Sequence, residues 1–300
     1  MTGTPLEDDL RRIVLGATDP ATSEARLRFF TDVMAGEAGA GREAWPEAWP
    51  GAGRAATEEF VRLVMRAFGQ LPAARVRARL ASLRVEAAGR IRAGEGRTRD
   101  LRIGSGKVEA GTPSPAHAGF FGLDVLRLRH QRFDGSLSPW LTREVFVAGD
   151  AVTVLPYDPV RDRVLLIEQM RMGPFGRGDP LPWQLEAIAG RIDPGETPEM
   201  AARREAIEEA GLPLGRLEKV AEYYPTPGAV TEYLYSYVAL CDLPDGVAGV
   251  FGAEAEAEDI KGHLVSFERL VEVMASGEIS NAPLLLTVLW LQRERARLRS

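Results

Sequence analysis

Cysteine occurs once in this 300-residue chain, at Cys241. That excludes an internal disulfide and makes a reducing cytoplasm the expected setting. Histidine occurs only three times, at His117, His130 and His263. With a single thiol, these residues make no zinc set. No uncharged apolar run reaches membrane-spanning length. The opening segment, Met1 to Asp9, is acidic and lacks the apolar stretch of a secretory leader, so none is expected. An excess of positive charge is also missing. The net charge is −6, which offers no general attraction to nucleic acid or to an anionic membrane. Neither is an expected partner, and an anionic small molecule would need local cations.

What is present is enough to build a sizeable core. Hydrophobic residues make up 45% of the chain and charged residues 27%, within the range of globular proteins. The length suits one large domain or two modest ones. Residues 1–93 read as a helical domain of unknown role. Phe60, Leu63, Val64, Ala67, Phe68 and Leu71 recur at helical spacing, and Val76, Leu80, Leu83 and Ala87 continue the stripe beyond Pro72. Trp45-Pro46 and Trp49-Pro50-Gly51 mark a loop between helices. Arg75, Arg77, Arg79, Arg84, Arg90 and Arg92 have no aromatic residue among them to stack on bases. They are expected on the outer face of a helix. Residues 94–118 are rich in Gly, Ser and Pro and read as a linker.

From about residue 119 the texture changes to short β-type segments. Strands are expected at 123–129, 144–148, 151–156, 163–169, 220–224, 234–240 and 263–267. Two helices are expected, one between the strands and one at 283–297. Together these describe an α+β sandwich preceded by an all-helical region.

The most informative stretch lies at 190–212. Asp193-Pro194-Gly195 has turn chemistry. Thr197 can cap a helix with Pro198 at its first position, and Gly211 can end it. Glu205, Glu208 and Glu209 stand at i, i+3 and i+4 on one helical face, with no cation expected four residues away to relieve them. Such a face calls for a hard divalent cation.

The spacing is Gly190, five residues, Glu196, seven residues, Arg204-Glu205, two residues, Glu208-Glu209, one residue, Gly211-Leu212. It resembles the Nudix box of hydrolases that cleave nucleoside diphosphates linked to another moiety. Other stretches are similar to the bacterial ADP-ribose pyrophosphatases of that superfamily. They are Arg143-Glu-Val-Phe146, Leu165-Leu-Ile-Glu-Gln-Met-Arg171, Tyr224-Pro-Thr-Pro-Gly-Ala-Val-Thr-Glu232 and Glu256-Ala-Glu-Asp-Ile260. Pro227, sixteen residues past Gly211, matches the proline that marks the subgroup.

The resemblance implies an α/β/α sandwich over 119–300 and Mg²⁺, or Mn²⁺ in its place, as cofactor. It implies Glu205, Glu209, the carbonyl of Ala189 and Glu258 as metal ligands, with Glu208 assisting. Arg204 would pair with Glu196. Glu256 would be the general base, with Glu254 as its rival on the same acidic loop. Arg171 would neutralise a diphosphate, and Glu186 would contact metal or terminal ribose. Arg143 and Glu144 would lie near the adenine, with Phe120 or Phe121 either stacked on the ring or buried as core. Glu232 would hold the terminal ribose and close the site, from the same chain or from the partner subunit. The implied substrate is the nucleotide sugar ADP-ribose, cleaved to AMP and ribose 5-phosphate, and the implied active unit is a homodimer. The alternatives are GDP-mannose, NADH or a damaged nucleoside triphosphate as substrate, or a non-catalytic ADP-ribose sensor. The Gly-Ala-Val-Thr-Glu232 stretch departs from the Gly-Gly-x-Ser-Glu form of the subgroup.

The acidic loop supplies the first test. Glu256→Gln should remove most activity while substrate still binds, because only proton acceptance is lost. Glu254→Gln should be mild. Turnover and binding measured on both variants decide the register, and a reversed pair of effects would make Glu254 the base.

Overall fold

The computed structural model describes residues 5–35, 53–94, 101, 102, 104, 106–252 and 258–300. The loop expected around Trp45 to Gly51 and both rival bases, Glu254 and Glu256, lie outside these residues. The chain divides into two compact units. One comprises Met1–Asp150, Asp193–Gly195 and Thr226–Glu232, and the other Ala151–Ile192, Glu196–Pro225 and Tyr233–Ser300.

The first unit begins with helices α1 (Pro5–Leu15), α2 (Pro20–Met34), α3 (Gly53–Arg66), α4 (Ala73–Arg77) and α5 (Leu80–Gly94). The side chain of Asp19 accepts from the amide of Thr22 at 3.0 Å and so caps α2, which has Pro20 in its first turn. The expected stripe is largely core: Phe60, Leu63, Val64, Val76, Leu80, Leu83 and Ala87 are buried together with Leu10, Val14, Phe30 and Val33. Each large apolar side chain so buried contributes roughly 1.5–3 kcal/mol.

Strands β1 (Val108–Ala110), β2 (Ser114–Ala118), β3 (Gly122–His130) and β4 (Leu141–Val147) follow, with β3 antiparallel to all three others. This corrects the expected linker at 94–118, which holds β1 and β2. Glycine and proline there mark short edge pairing, with a register shift between Pro115 and His117. The arginines also divide. Arg75, Arg77 and Arg90 are exposed, whereas Arg79, Arg84 and Arg92 are half-buried. A Cβ on Gly122 would meet the Arg79 guanidinium at 2.9 Å. Arg66 lies 3.0 Å from the buried Asp124 of β3, which ties the helices to this sheet.

The second unit contains β5 (Ala151–Asp158), β6 (Arg163–Met170), α6 (Met172–Arg177), β7 (Trp183–Glu186), β8 (Ile188–Arg191), α7 (Pro198–Ala210), β9 (Arg216–Tyr223), β10 (Leu234–Leu240), β11 (Val250–Phe251), β12 (Ile260–Ser266), α8 (Phe267–Ser276) and α9 (Ala282–Leu298). Its eight-stranded sheet runs β11-β12-β6-β5-β10-β9, with β7 on β6 and β8 on β5. β5 and β10 are parallel, and the other pairs are antiparallel.

Alternation along the strands separates two cores. Val152, Val154, Leu165, Ile167, Tyr235 and Tyr237 face α7, through Ala201, Ala202, Ala206 and Ala210. Leu155, Tyr157, Val164, Leu166 and Val238 face α8 and α9, through Leu270, Val273, Leu284, Val288 and Leu291. The result is the expected α/β/α sandwich. Residue 267, expected to end a strand, instead opens α8, because Ser266 caps that helix by accepting from the amide of Arg269 at 3.2 Å. Cys241 follows β10. Its thiol contacts the carbonyl of Ala239, and burial pushes its pKa up to about 12.

Candidate active site

The box helix, α7, begins and ends as its residues dictate. The Thr197 side chain accepts from the amide of Met200 at 3.2 Å, and Pro198 occupies the first turn. Gly211 adopts φ 58°, and its amide and that of Leu212 close the helix on Ile207 and Ala206. The box-helix residues packed in the apolar core, Ala201, Ala202, Ala206 and Ala210, are all alanines, so α7 lies close to β8. That proximity places Glu205 on the Cα of Gly190. A Cβ there would fall 1.9 Å from the Glu205 carboxyl group, so only glycine fits. Beside it, the amide of Ala189 donates to Glu209 Oε2 at 3.0 Å.

Arg204 holds the other side of the carboxylate group. Its Nε and Nη2 fork onto both oxygens of Glu196 at 2.8 and 2.9 Å, the pairing expected from the sequence. Nη2 also reaches the carbonyl of Arg191 at 2.9 Å. Nη1 donates to Glu205 Oε1 at 2.6 Å and to Glu208 Oε2 at 3.0 Å. This corrects the expectation that no cation relieves the acidic face. Arg204 stands four residues before Glu208, the spacing at which helical side chains meet.

Burial dominates the electrostatics. It raises Glu205 to about 7 against the attraction of Arg204, with Glu208 and Glu258 adding repulsion. It raises Glu209 to about 8 against the Ala189 amide, with Glu205 and Glu258 again repelling. Arg204 is raised as well, first by its bonds to Glu196. Both members of the Arg204–Glu205 pair thus move upward. The arginine charge is shared among three carboxylates, and that share does not offset the desolvation of Glu205. Arg171 Nε donates to Glu186 Oε2 at 2.7 Å, and burial raises Glu186 despite this partner.

A family model described as NUDIX domain matches residues 148–287. The chain is similar to the ADP-ribose pyrophosphatase of Escherichia coli strain K12, 40% identical over 200 residues that cover 67% of this chain and 95% of the relative. It is similar to that of Haemophilus influenzae at 36% identity, over 61% of this chain and 84% of the relative. The GDP-mannose pyrophosphatase of Enterobacter sp. strain 638 is 35% identical, over 50% of this chain and 77% of that protein. The chain belongs to the Nudix family.

In this Nudix protein the second unit brings together Ala189, Glu196, Arg204, Glu205, Glu208 and Glu209, with Glu258 close enough to repel the last of these. Arg171 and Glu186 pair with each other. Among the described residues, no three His, Cys, Asp or Glu side chains are grouped to hold a metal ion. Arg204 and the Ala189 amide engage oxygens that a cation would take.

The first unit carries Arg143, Glu144, Phe120 and Glu232. Arg143 donates to the carbonyl of Thr142 at 2.8 Å. Both Arg143 and Glu144 are exposed on β4. Phe120 and Phe121 are exposed and packed edge to face at 4.8 Å, so they are not core. Two features escaped the sequence reading. The hydroxyl of Thr231 binds both the amide and the carbonyl of Ala148, at 2.9 and 2.7 Å. In the second unit an open groove of about 720 Å³, lined by Trp183, Glu168, His263 and Arg269, lies on the α8 side of the sheet and contains none of the box carboxylates.

Two predictions follow from this geometry. Gly190→Ala should push Glu205 aside and lower hydrolytic turnover by about a hundredfold or more, with the circular dichroism of the wild type. Turnover within about threefold of wild type would show that Glu205 is not held by this approach. The second concerns pH. Glu205 and Glu209 bind protons more tightly folded than unfolded, so their contribution to stability falls as pH rises from the ordinary carboxylate value of 4.5 to about 8. Urea midpoints in chelator should show this fall in wild type and a smaller one in Glu209→Gln. Equal pH slopes for the two proteins would count against it.

Proposed function

We propose that this chain hydrolyses the pyrophosphate bond of ADP-ribose to AMP and ribose 5-phosphate, with Mg²⁺ as cofactor and a homodimer as the active unit. The observation that carries the reading is the 40% identity to an ADP-ribose pyrophosphatase across 95% of that protein's length. The box geometry supports it. Buried like charges whose pKa values rise for want of compensation are the donor chemistry a hard dication suits. Glu205, Glu209, Glu258 and the carbonyl of Ala189 would hold the ion. When bound, it would neutralise pyrophosphate charge and favour ionisation of a water.

The protein's own groups do the rest. Arg204 fixes the direction of Glu205 and Glu208 while binding the Arg191 carbonyl and Glu196 on either side of the box turn. Glu186 orients the Arg171 guanidinium, which meets phosphate oxygens. Water oxygen bonds to phosphorus, the bridging P–O bond breaks with its electron pair leaving on the departing phosphate, and Glu256 accepts the water proton. GDP-mannose is the second reading, favoured by the 35% identity to a pyrophosphatase of that name.

The test is a panel of ADP-ribose, GDP-mannose, NADH and 8-oxo-dGTP under one Mg²⁺ condition, with products separated by chromatography and protein mass by light scattering. The highest kcat/KM is expected for ADP-ribose, from a dimer. Preference for another member rejects the substrate, and a monomeric mass with full activity rejects the dimer.

A further inference from the structure

Helices α1 to α5 have no role in the reaction just described, yet α5 touches the one segment that links β4 to the next strand. A Cβ on Gly149 would stand 2.2 Å from Val85 Cγ1 of α5. A Cβ on Gly89 of α5 would stand 2.9 Å from Asp150 Oδ1. Glycine on each side is what lets helix and segment meet this closely. Arg92, one turn beyond Gly89, donates from Nε to Asp150 Oδ2 at 2.7 Å. The two side chains are only 14% and 10% exposed, so the ion pair is shielded from water. Removing one partner of so shielded a pair would leave the other charge buried and uncompensated.

The same segment grips the loop 226–232 from its other side. Phe146 donates its amide to the carbonyl of Ala229 at 2.8 Å and accepts from the amide of Thr231 at 3.0 Å. These bonds make a parallel bridge between Phe146 and Val230. The Thr231 hydroxyl then accepts from the Ala148 amide and donates to the Ala148 carbonyl. Glu232 is the next residue. A continuous path therefore runs from Val85, Gly89 and Arg92 through Ala148, Gly149 and Asp150 to Thr231, and every link lies within one compact unit.

We propose that the helical region acts through α5 as a clamp on the substrate loop 226–232, with Arg92, Asp150 and Thr231 as positioning residues. The clamp sets how well Glu232 is placed for substrate, and so governs affinity more than the chemical step. This inference rests on the reading of Glu232 as a substrate contact.

The experiment compares full-length wild type, Arg92→Ala, Thr231→Val, Thr231→Ser, the Arg92→Ala/Thr231→Val double variant and Glu232→Gln. It reads KM and kcat for ADP-ribose, and amide hydrogen exchange over 226–232. Arg92→Ala should raise KM about tenfold and Thr231→Val about fivefold, with kcat within about twofold, as expected when a hydrogen-bonded loop is unseated. Thr231→Ser should restore KM. The double variant should fall short of the product of the single effects, because both act through one segment. Exchange at the Thr231 amide should quicken in Arg92→Ala while the thermal midpoint of the helical core stays cooperative.

Unchanged exchange at Thr231 in a folded Arg92→Ala protein overturns the clamp whatever the substrate. A raised KM in Glu232→Gln without any rise in Arg92→Ala or Thr231→Val also overturns it, and leaves the substrate reading standing. An unchanged KM in Glu232→Gln removes the premise and the clamp with it.

Discussion

The guanidinium of Arg204 is the contact on which the candidate site depends. It makes five hydrogen bonds, to Glu196, Glu205, Glu208 and the carbonyl of Arg191. Bonds to charged groups contribute about 1.5–3 kcal/mol each, so a side chain making several at once can fix both a turn and a helix face. Among the described residues, no other single group joins the strand before the turn, the turn's exit and two box carboxylates. A lysine could neutralise the same charge but could not fork onto Glu196 while reaching the helix.

That anchor works because α7 comes unusually near the sheet. Alanines on its inner face and glycine at 190 remove the atoms that would hold it off. The cost is electrostatic, since Glu205 and Glu209 are drawn into a poorly solvated space beside each other. Their raised pKa values are the mark of that arrangement. The groups are thus held where the protein alone does not fully satisfy them, a common property of sites built to receive charge.

Much of this was legible in the residues. The strands β5, β6 and β10 declared themselves by β-branched and apolar content, and α7 by its cap, its first-turn proline and its terminal glycine. The pairing of Arg204 with Glu196 also came from the motif. The relief of Glu208 by Arg204 follows from i,i+4 spacing, against the expectation of an unrelieved acidic face. Helix α8 had its signals too, Ser266 before it and Gly277 after it, and the strand expected at 263–267 overran β12 by one residue, Phe267. β7 and β8 were harder, being four residues each, with Ala189 and Gly190 giving little β propensity. The bond between Arg171 and Glu186 joins residues fifteen apart, which only the sheet brings together. Ala148 and Thr231, 83 residues apart, meet beside the isolated bridge between Phe146 and Val230.

The lone thiol has a practical consequence. Cys241, with its pKa pushed up to about 12, is almost wholly protonated at neutral pH and so a poor nucleophile. A cysteine introduced at an exposed position would therefore be the one readily alkylated sulfur in the molecule. Spectroscopic probes can be attached at chosen points, on α5 or beside the box, without first removing a native residue.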